Sequence, residues 1–332
     1  MKEAFFYLNY DNVVVLKDYL DVLFVALENN GYLCKYVKDL KGISKKSLVV
    51  FPMGNDAFKF YIKGFRNIVF WQQGATADES YLRHKSILRK TILNFMDCFI
   101  IKRAKLNIFV SLELQNYYED LMKKKIGNYS FIMPCFNDQY DKSIVDIAKK
   151  DYGLHSFAYV GSLTDWQCFD ETIDLYKQIE DSICDSFLKV LTFQKEEAIR
   201  IIKSKGVKNF SVKTVKKEEV KNELKDISYG FVIRKDILVN RVATPTKFSS
   251  YLAAGVLPIY SDCLKDFSRG CGGYNISFEV GESTPLDNIC GFVKKEKNSQ
   301  QIEQSIVNVF NTYYSPKKYV NELSLLIDKL GI

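Results

Sequence analysis

The sequence is poor in histidine, proline and paired cysteine. With 2 His in 332 residues, His84 and His155, an imidazole-built zinc centre is not expected. The 6 Pro and 17 Gly exclude a long collagen-like or low-complexity tract. None of the 8 cysteines forms a C-x-x-C pair. Cys34, Cys98, Cys135, Cys168, Cys184, Cys263, Cys271 and Cys290 mostly sit in apolar stretches, where a thiol behaves as a small hydrophobe. No apolar run approaches a bilayer span, and the opening MKEAFFYLNYDN lacks the apolar core of a signal peptide. A reducing, cytoplasmic setting is expected. No G-x-G-x-x-G follows a first strand, which sets aside a nicotinamide-dependent dehydrogenase.

What is present suits a globular chain of two domains, at about 150 residues each. Hydrophobic residues make up 47% and charged residues 26%, with a net charge of +7. That excess is confined to one half: residues 1–150 hold 23 basic and 16 acidic side chains, and the remainder is neutral. A one-sided excess points to an anionic surface or substrate met by the first half, set against solvated lysines of a basic proteome. Peripheral contact with an anionic membrane is one such partner. The lysines are scattered, with a short run only at Lys123–Lys125, so nucleic acid is not expected.

Strand-like and helix-like segments alternate along both halves. Ala4–Asn9 reads as a strand, Val13–Asn29 as a helix, and Tyr32–Val37, Leu48–Phe51 and Asn67–Trp71 as strands. Tyr81–Lys105 reads as one long basic helix. In the second half Phe157–Val160 leads to a helix over Asp165–Glu180, and Pro245–Ala254 to a strand at Val256–Ser261. Such alternation builds βαβ units and mostly parallel sheets. The expected fold is α/β, with two Rossmann-like domains over 1–147 and 148–305 and a C-terminal helix over 306–332. The linker is placed near Asn137–Tyr152.

Ligands of open parallel sheets bind where strands run into helix N-termini. One such junction is YVGSLTDWQCFDETIDL, where Gly161 and Ser162 could approach a phosphate. Thr164 is its expected cap and Gln167 the partner in a capping box. A second junction is IRKDILVNRVATPTKFSSYLAAGVLPIYSD. Thr244 reads as N-cap and Pro245 as the first helical residue, leaving Thr246 and Lys247 in the first turn. A cation at that end is disfavoured by the helix dipole, unless an anion such as a diphosphate lies beside it. Arg234 and Arg241 flank the loop and could add donors.

The run TPTKFSSYLAAG resembles the donor-binding signature of bacterial GT-B glycosyltransferases, close to family 4 and to capsule and O-antigen enzymes. The match lies at Thr244–Lys247 and Tyr251–Gly255. YVGSLTDWQCFDETIDL resembles the start of their second domain, and WQQGATADESYLRHKSILRK their acceptor-side loop and helix. The resemblance implies two facing Rossmann-like domains and transfer of a sugar from a nucleotide-sugar to a glycan or lipid-linked acceptor. It implies a nucleobase near Lys213, Thr214 and Val215, and no metal or other cofactor, in keeping with the absence of Asp-x-Asp. Many retaining members carry two glutamates, which here become Val242 and Ser250; Ser250 could bond a ribose hydroxyl. On the acceptor side the expected residues are Trp71, stacking on a sugar, with Gln72, Gln73, Gly74 and Arg83. Glu79, Asp78 or His84 would serve as general base. Two other readings stay open: a sugar-nucleotide epimerase, and a nucleotide-sugar binding protein without turnover.

Overall fold

The computed structural model describes residues 2–8 and 13–332. The chain divides into two compact units. The first comprises Met1–Cys135, Arg241–Thr244 and Ser315–Ile332, the second Phe136–Asn240 and Pro245–Tyr314. Each is built on a six-stranded sheet in which every described pairing is parallel.

The first sheet contains β1 (Lys2–Tyr7), β2 (Tyr32–Val37), β3 (Leu48–Phe51), β4 (Ile68–Gln72), β5 (Leu106–Phe109) and β6 (Ser130–Ile132). Their order is β2-β1-β3-β4-β5-β6. Strands LVVF, IVFWQ and LNIF are buried along their whole length, as strands covered on both faces must be. The expected strand Ala4–Asn9 reaches Tyr7, and Asn9 lies outside the described residues. The helices are α1 (Val13–Asn29), α2 (Gly54–Ile62), α3 (Thr76–His84), α4 (Ile87–Ile101) and α5 (Leu112–Met122). On α1, Tyr19, Leu20, Leu23, Ala26 and Leu27 recur at helical spacing and are buried.

The long helix expected over Tyr81–Lys105 is two helices. Lys85 turns left-handed at φ 52°, and the Ser86 hydroxyl then caps α4 by accepting from the Arg89 N–H at 3.3 Å.

The second sheet contains β7 (Ser156–Val160), β8 (Phe187–Leu191), β9 (Phe210–Lys213), β10 (Tyr229–Val232), β11 (Leu257–Ser261) and β12 (Phe278–Val280), ordered β12-β11-β10-β7-β8-β9. Its helices are α6 (Phe169–Ser182), α7 (Lys195–Ser204), α8 (Val220–Leu224), α9 (Leu238–Arg241), α10 (Lys247–Ala253), α11 (Lys265–Cys271), α12 (Leu286–Lys294) and α13 (Ser299–Thr312); α9 ends in the first unit. A last helix, α14 (Pro316–Leu330), packs on α1, where the Asn30 amide donates to the Ser324 carbonyl at 3.1 Å.

Segment 137–152, expected as linker, packs within the second unit. The Asn137 N–H donates to Ser249 Oγ at 2.9 Å, and the Tyr152 hydroxyl to the Gly255 carbonyl at 2.7 Å. Strand order reverses between β7 and β10, so a crevice opens there beyond the carboxyl ends of the strands. Tyr251 of the YLAAG run spans this reversal. Its ring covers Gly230, where a Cβ would stand 2.6 Å from a ring carbon, and its hydroxyl accepts from the Val160 N–H at 3.2 Å. That part of the motif holds β7 and β10 together.

Candidate functional site

A cavity of about 340 Å³ lies within the second unit at the carboxyl ends of β7, β8 and β9. Lys247 lines it, and Arg234 lies beside Lys247 at one acceptor. Lys247 Nζ donates to Gln167 Oε1 at 2.7 Å, and Arg234 Nη2 donates to the same oxygen at 2.6 Å. Arg234 Nη1 also donates to the carbonyls of Gln167 and Ile233, at 2.9 and 2.8 Å. Neither cation is paired with a carboxylate among the described residues. Burial, and then the charge of Arg234, push the Lys247 pKa well below the usual lysine value; burial likewise lowers Arg234. Lys247 lies 4.4 Å from the centre of the Tyr159 ring, a weak compensation for a desolvated charge. A buried and a half-buried cation sharing one neutral acceptor form a site short of negative charge.

Gly161 makes room for this pair. Its φ is +136°, and a Cβ would stand 2.8 Å from Lys247 Cε and 2.9 Å from Nζ. Its own N–H donates to the Leu191 carbonyl at 2.9 Å, so its part at the site is the space it leaves. Ser162 lines the cavity, with its hydroxyl 3.2 Å from Thr164 Oγ1. The expected helix over Asp165–Glu180 begins instead as a 3-10 turn, Asp165–Gln167, with Cys168 left-handed at φ 53° before α6. Thr164 makes no side-chain cap, and Gln167 builds no capping box. Its amide faces the cations instead, a role that sequence reasoning missed.

The loop after Arg241 also departs from expectation. Thr244 does not cap α10, because its hydroxyl accepts from the Cys135 N–H at 3.0 Å within the first unit. Pro245 precedes the helix, Thr246 holds the N-cap position, and Lys247 is its first residue. The helix is only seven residues long, so its dipole is small and the positive charge rests with the side chains. Arg241 is exposed and does not line the cavity.

The upper wall is apolar, formed by Leu191, Phe193, Val215 and Val220. Phe193 is 81% exposed, and sequence reasoning missed it too. Val215 lines the cavity where the nucleobase is expected to meet backbone, and the side chains beside it are engaged elsewhere. Lys213 pairs with Glu223 at 2.9 Å, and the Thr214 hydroxyl donates to the Thr192 carbonyl at 2.7 Å. At the other end of the cavity Ser250 donates to Asp138 Oδ2 at 2.5 Å. A carboxylate thus stands beside Ser250, brought from a segment 112 residues earlier. Val242 is buried, and its carbonyl accepts from Ser111 Oγ at 2.6 Å in the first unit.

In the first unit the acceptor-side candidates gather at the end of β4 and on α3. Trp71 is buried with its ring edge-on to Tyr19, centroids 5.4 Å apart, so it presents no face to a sugar. Gln72 is buried as well, donating to the Tyr118 hydroxyl at 2.5 Å, which in turn donates to Asp97 at 2.9 Å. Gln73 buries its amide nitrogen without a partner among the described residues, and such a donor calls for water or a ligand. Glu79 lies against buried Gly74, 3.8 Å from the Arg83 guanidinium. Burial raises the Glu79 pKa, against the opposing pull of Arg83. Asp78 is committed elsewhere, to Lys90 at 2.5 Å and the Tyr117 hydroxyl at 2.8 Å. His84 ends α3 exposed to solvent.

No protein-family model matches the chain, and no curated protein matches it in sequence. Its fold does have solved counterparts. A sucrose-phosphate synthase from Thermosynechococcus elongatus superposes with TM-score 0.65 at 10% identity, covering 99% of both chains. Staphylococcus aureus TarM, solved with Fondaparinux, alpha-GlcNAc-glycerol and UDP, gives 0.63 at 9% identity, over 92% of this chain and 58% of TarM. The pneumococcal O-GlcNAc transferase GtfA, in complex with UDP and GlcNAc, gives 0.59 at 9% identity, over 93% and 60%. The chain therefore spans less than two thirds of TarM and GtfA. The α/β fold, with its two six-stranded parallel sheets, is that of GT-B glycosyltransferases. Among the described residues no helix is long and apolar enough to cross a membrane.

Proposed function

We propose that the chain is a glycosyltransferase that holds a nucleoside-diphosphate sugar in the second unit's cavity. It passes the sugar to a glycan or lipid-linked glycan in bacterial surface polysaccharide synthesis. The observation that carries this reading is the Lys247–Arg234 pair, a half-buried and a buried cation on one Gln167 oxygen with no carboxylate partner among the described residues. A diphosphate supplies the missing charge. As the glycosidic bond breaks, the same cations stabilise the negative charge growing on the leaving group, without calling on a metal. The ring of Phe193 and the side chain of Val215 suit a nucleobase, and Asp138 with Ser250 suits the hydroxyls of a ribose. The UDP present in the TarM and GtfA complexes supports a nucleoside diphosphate as the ligand class.

On the acceptor side we assign Glu79 as general base, with Gln73 and Gly74 beside it. A carboxyl raised by burial is suited to taking a proton from a hydroxyl. The positive excess of the first half suits a lipid-linked acceptor at an anionic membrane. A second reading, binding without turnover, is favoured by Val242, which offers no carboxylate at its position. A thermal-shift panel of UDP, GDP, CDP, CMP and the bare nucleosides tests the assignment. At about 100 Kd a ligand adds about 2.7 kcal/mol of stability, so diphosphates should raise Tm where nucleosides do not. A flat response to every diphosphate rejects both readings; stabilisation without donor hydrolysis or transfer selects the second.

A further inference from the structure

The outer face of the first unit carries a different feature. On α4, Leu88, Ile92 and Phe95 are 72%, 45% and 60% exposed, and neighbouring Ile87 is 70% exposed. Positions 88, 92, 95 and 99 repeat at four, three and four residues, so they form one stripe along the helix. The stripe continues onto α2. Phe58 packs against Phe95 and Phe99 with centroids 6.0 and 5.1 Å apart, Tyr61 meets Phe99 at 5.2 Å, and Ile62 is 64% exposed.

Cations border this stripe. The Arg103 guanidinium lies 3.7 Å from the Phe99 ring centre, and that of Arg66 lies 3.9 Å from Tyr61. Lys59, Lys63, Lys85, Arg89 and Lys102 are also exposed. No acidic residue occurs between Phe58 and Arg66, and from Arg83 to Lys105 the one acid, Asp97, is buried. Water-soluble surfaces seldom leave so many large apolar side chains contiguous without a use.

We propose that this α2–α4 face docks on an anionic lipid bilayer, with Leu88, Ile92 and Phe95 entering the interface and the bordering cations meeting lipid phosphates. A second copy is the poorer occupant, because a twofold contact would set one cationic border against another. The inference rests on the membrane reading above and needs nothing of the donor chemistry; it assigns the surface.

The test is flotation of the full chain with vesicles of phosphatidylcholine, alone or mixed with phosphatidylglycerol. The wild type should bind the mixed vesicles and weaken as salt rises. Leu88→Ser and Phe95→Ser should each lower binding about tenfold, and Lys63→Gln and Lys85→Gln about fivefold each. All four side chains are exposed, so an unchanged Tm and circular dichroism spectrum will certify the fold. A double serine variant that binds like wild type overturns the assignment of this face and leaves the membrane reading standing. Wild type that ignores both vesicle types overturns the two together. Self-association that the serine pair abolishes, without vesicle binding, gives the face to a second copy and overturns the proposal.

Discussion

Replacing Lys247 by methionine keeps an unbranched stem and removes the charge, and the two consequences should carry opposite signs. In the unliganded chain the ammonium is desolvated and repelled by Arg234, with one amide oxygen as its hydrogen-bond acceptor. Losing it relieves that cost, so Tm should hold or rise. In the liganded chain the variant loses a charge-assisted hydrogen bond to phosphate, worth about 1.5–3 kcal/mol, so affinity for a nucleoside diphosphate should fall roughly 10- to 150-fold. Affinity for the uncharged nucleoside should not move. Proton linkage gives a second readout. The folded chain holds fewer protons at Lys247 than the unfolded chain, because burial lowers its pKa. The stability of the free protein should therefore rise with pH from the depressed folded pKa up to the ordinary value of 10.5. A bound diphosphate favours the charged lysine, so binding takes up a proton and weakens as pH rises through that window. Titration calorimetry in buffers of different ionisation enthalpy, on wild type and Lys247→Met, measures both effects. Unchanged diphosphate affinity in the variant, at every pH, would refute the reasoning.

Gly161→Ala should both destabilise the fold, by about 1–3 kcal/mol for a side chain at φ +136°, and displace Lys247, so Tm and diphosphate affinity fall together. Phe193→Ala should leave the denaturant midpoint unchanged, since the ring is exposed, and cost about 1–3 kcal/mol of nucleotide binding if a base stacks there; equal affinity for nucleotide and bare diphosphate in wild type counts against the stacking. Asp138→Asn should weaken ribonucleotides more than their 2′-deoxy counterparts in competition assays, and equal losses would remove the ribose assignment. Asp97, raised by burial to about 6, becomes costly as it ionises, so stability should fall from about pH 4 to about pH 6. Asp97→Asn should flatten that fall, which amounts to at most about 3 kcal/mol, in urea titrations across the range.

The sheets were legible because their strands are short apolar runs between helices of helical periodicity, a local pattern that tertiary packing only reinforces. The boundaries set by a single backbone angle were less so. Nothing around Lys85 or Cys168 announces a left-handed residue, since neither is glycine, yet each divides what reads as one helix. The site was legible in part. In the sequence Lys247 stands out as a cation at a helix start, and the structure adds its desolvation beside Arg234. Arg234 is expected from the sequence as a flank of the same loop, but only folding brings the two to one oxygen of Gln167. Gln167 passed as a capping residue because its spacing from Thr164 fits a capping box as well as it fits this site. Phe193 and Asp138 stand in irregular segments with no period to mark them. Trp71 misled because an aromatic at a strand end serves the core as readily as a ligand.

The missing glutamates therefore weigh differently once the backbone is in view. Position 250, where the resembled enzymes carry a glutamate, here holds a hydroxyl, and the Asp138 carboxyl group stands 2.5 Å from it. At position 242 valine is buried and its carbonyl is occupied by Ser111. Binding and turnover separate along this line. Substrate capture, as proposed, uses the cations, the apolar wall and Asp138, all assembled within the second unit. On the proposed reading turnover rests on the acceptor side, where Glu79, its pKa raised by burial, takes the proton of the attacking hydroxyl. A Glu79→Gln variant that binds donor normally but loses transfer assigns the chemistry to it. If transfer survives, the base is another group, and the donor site keeps its assignment.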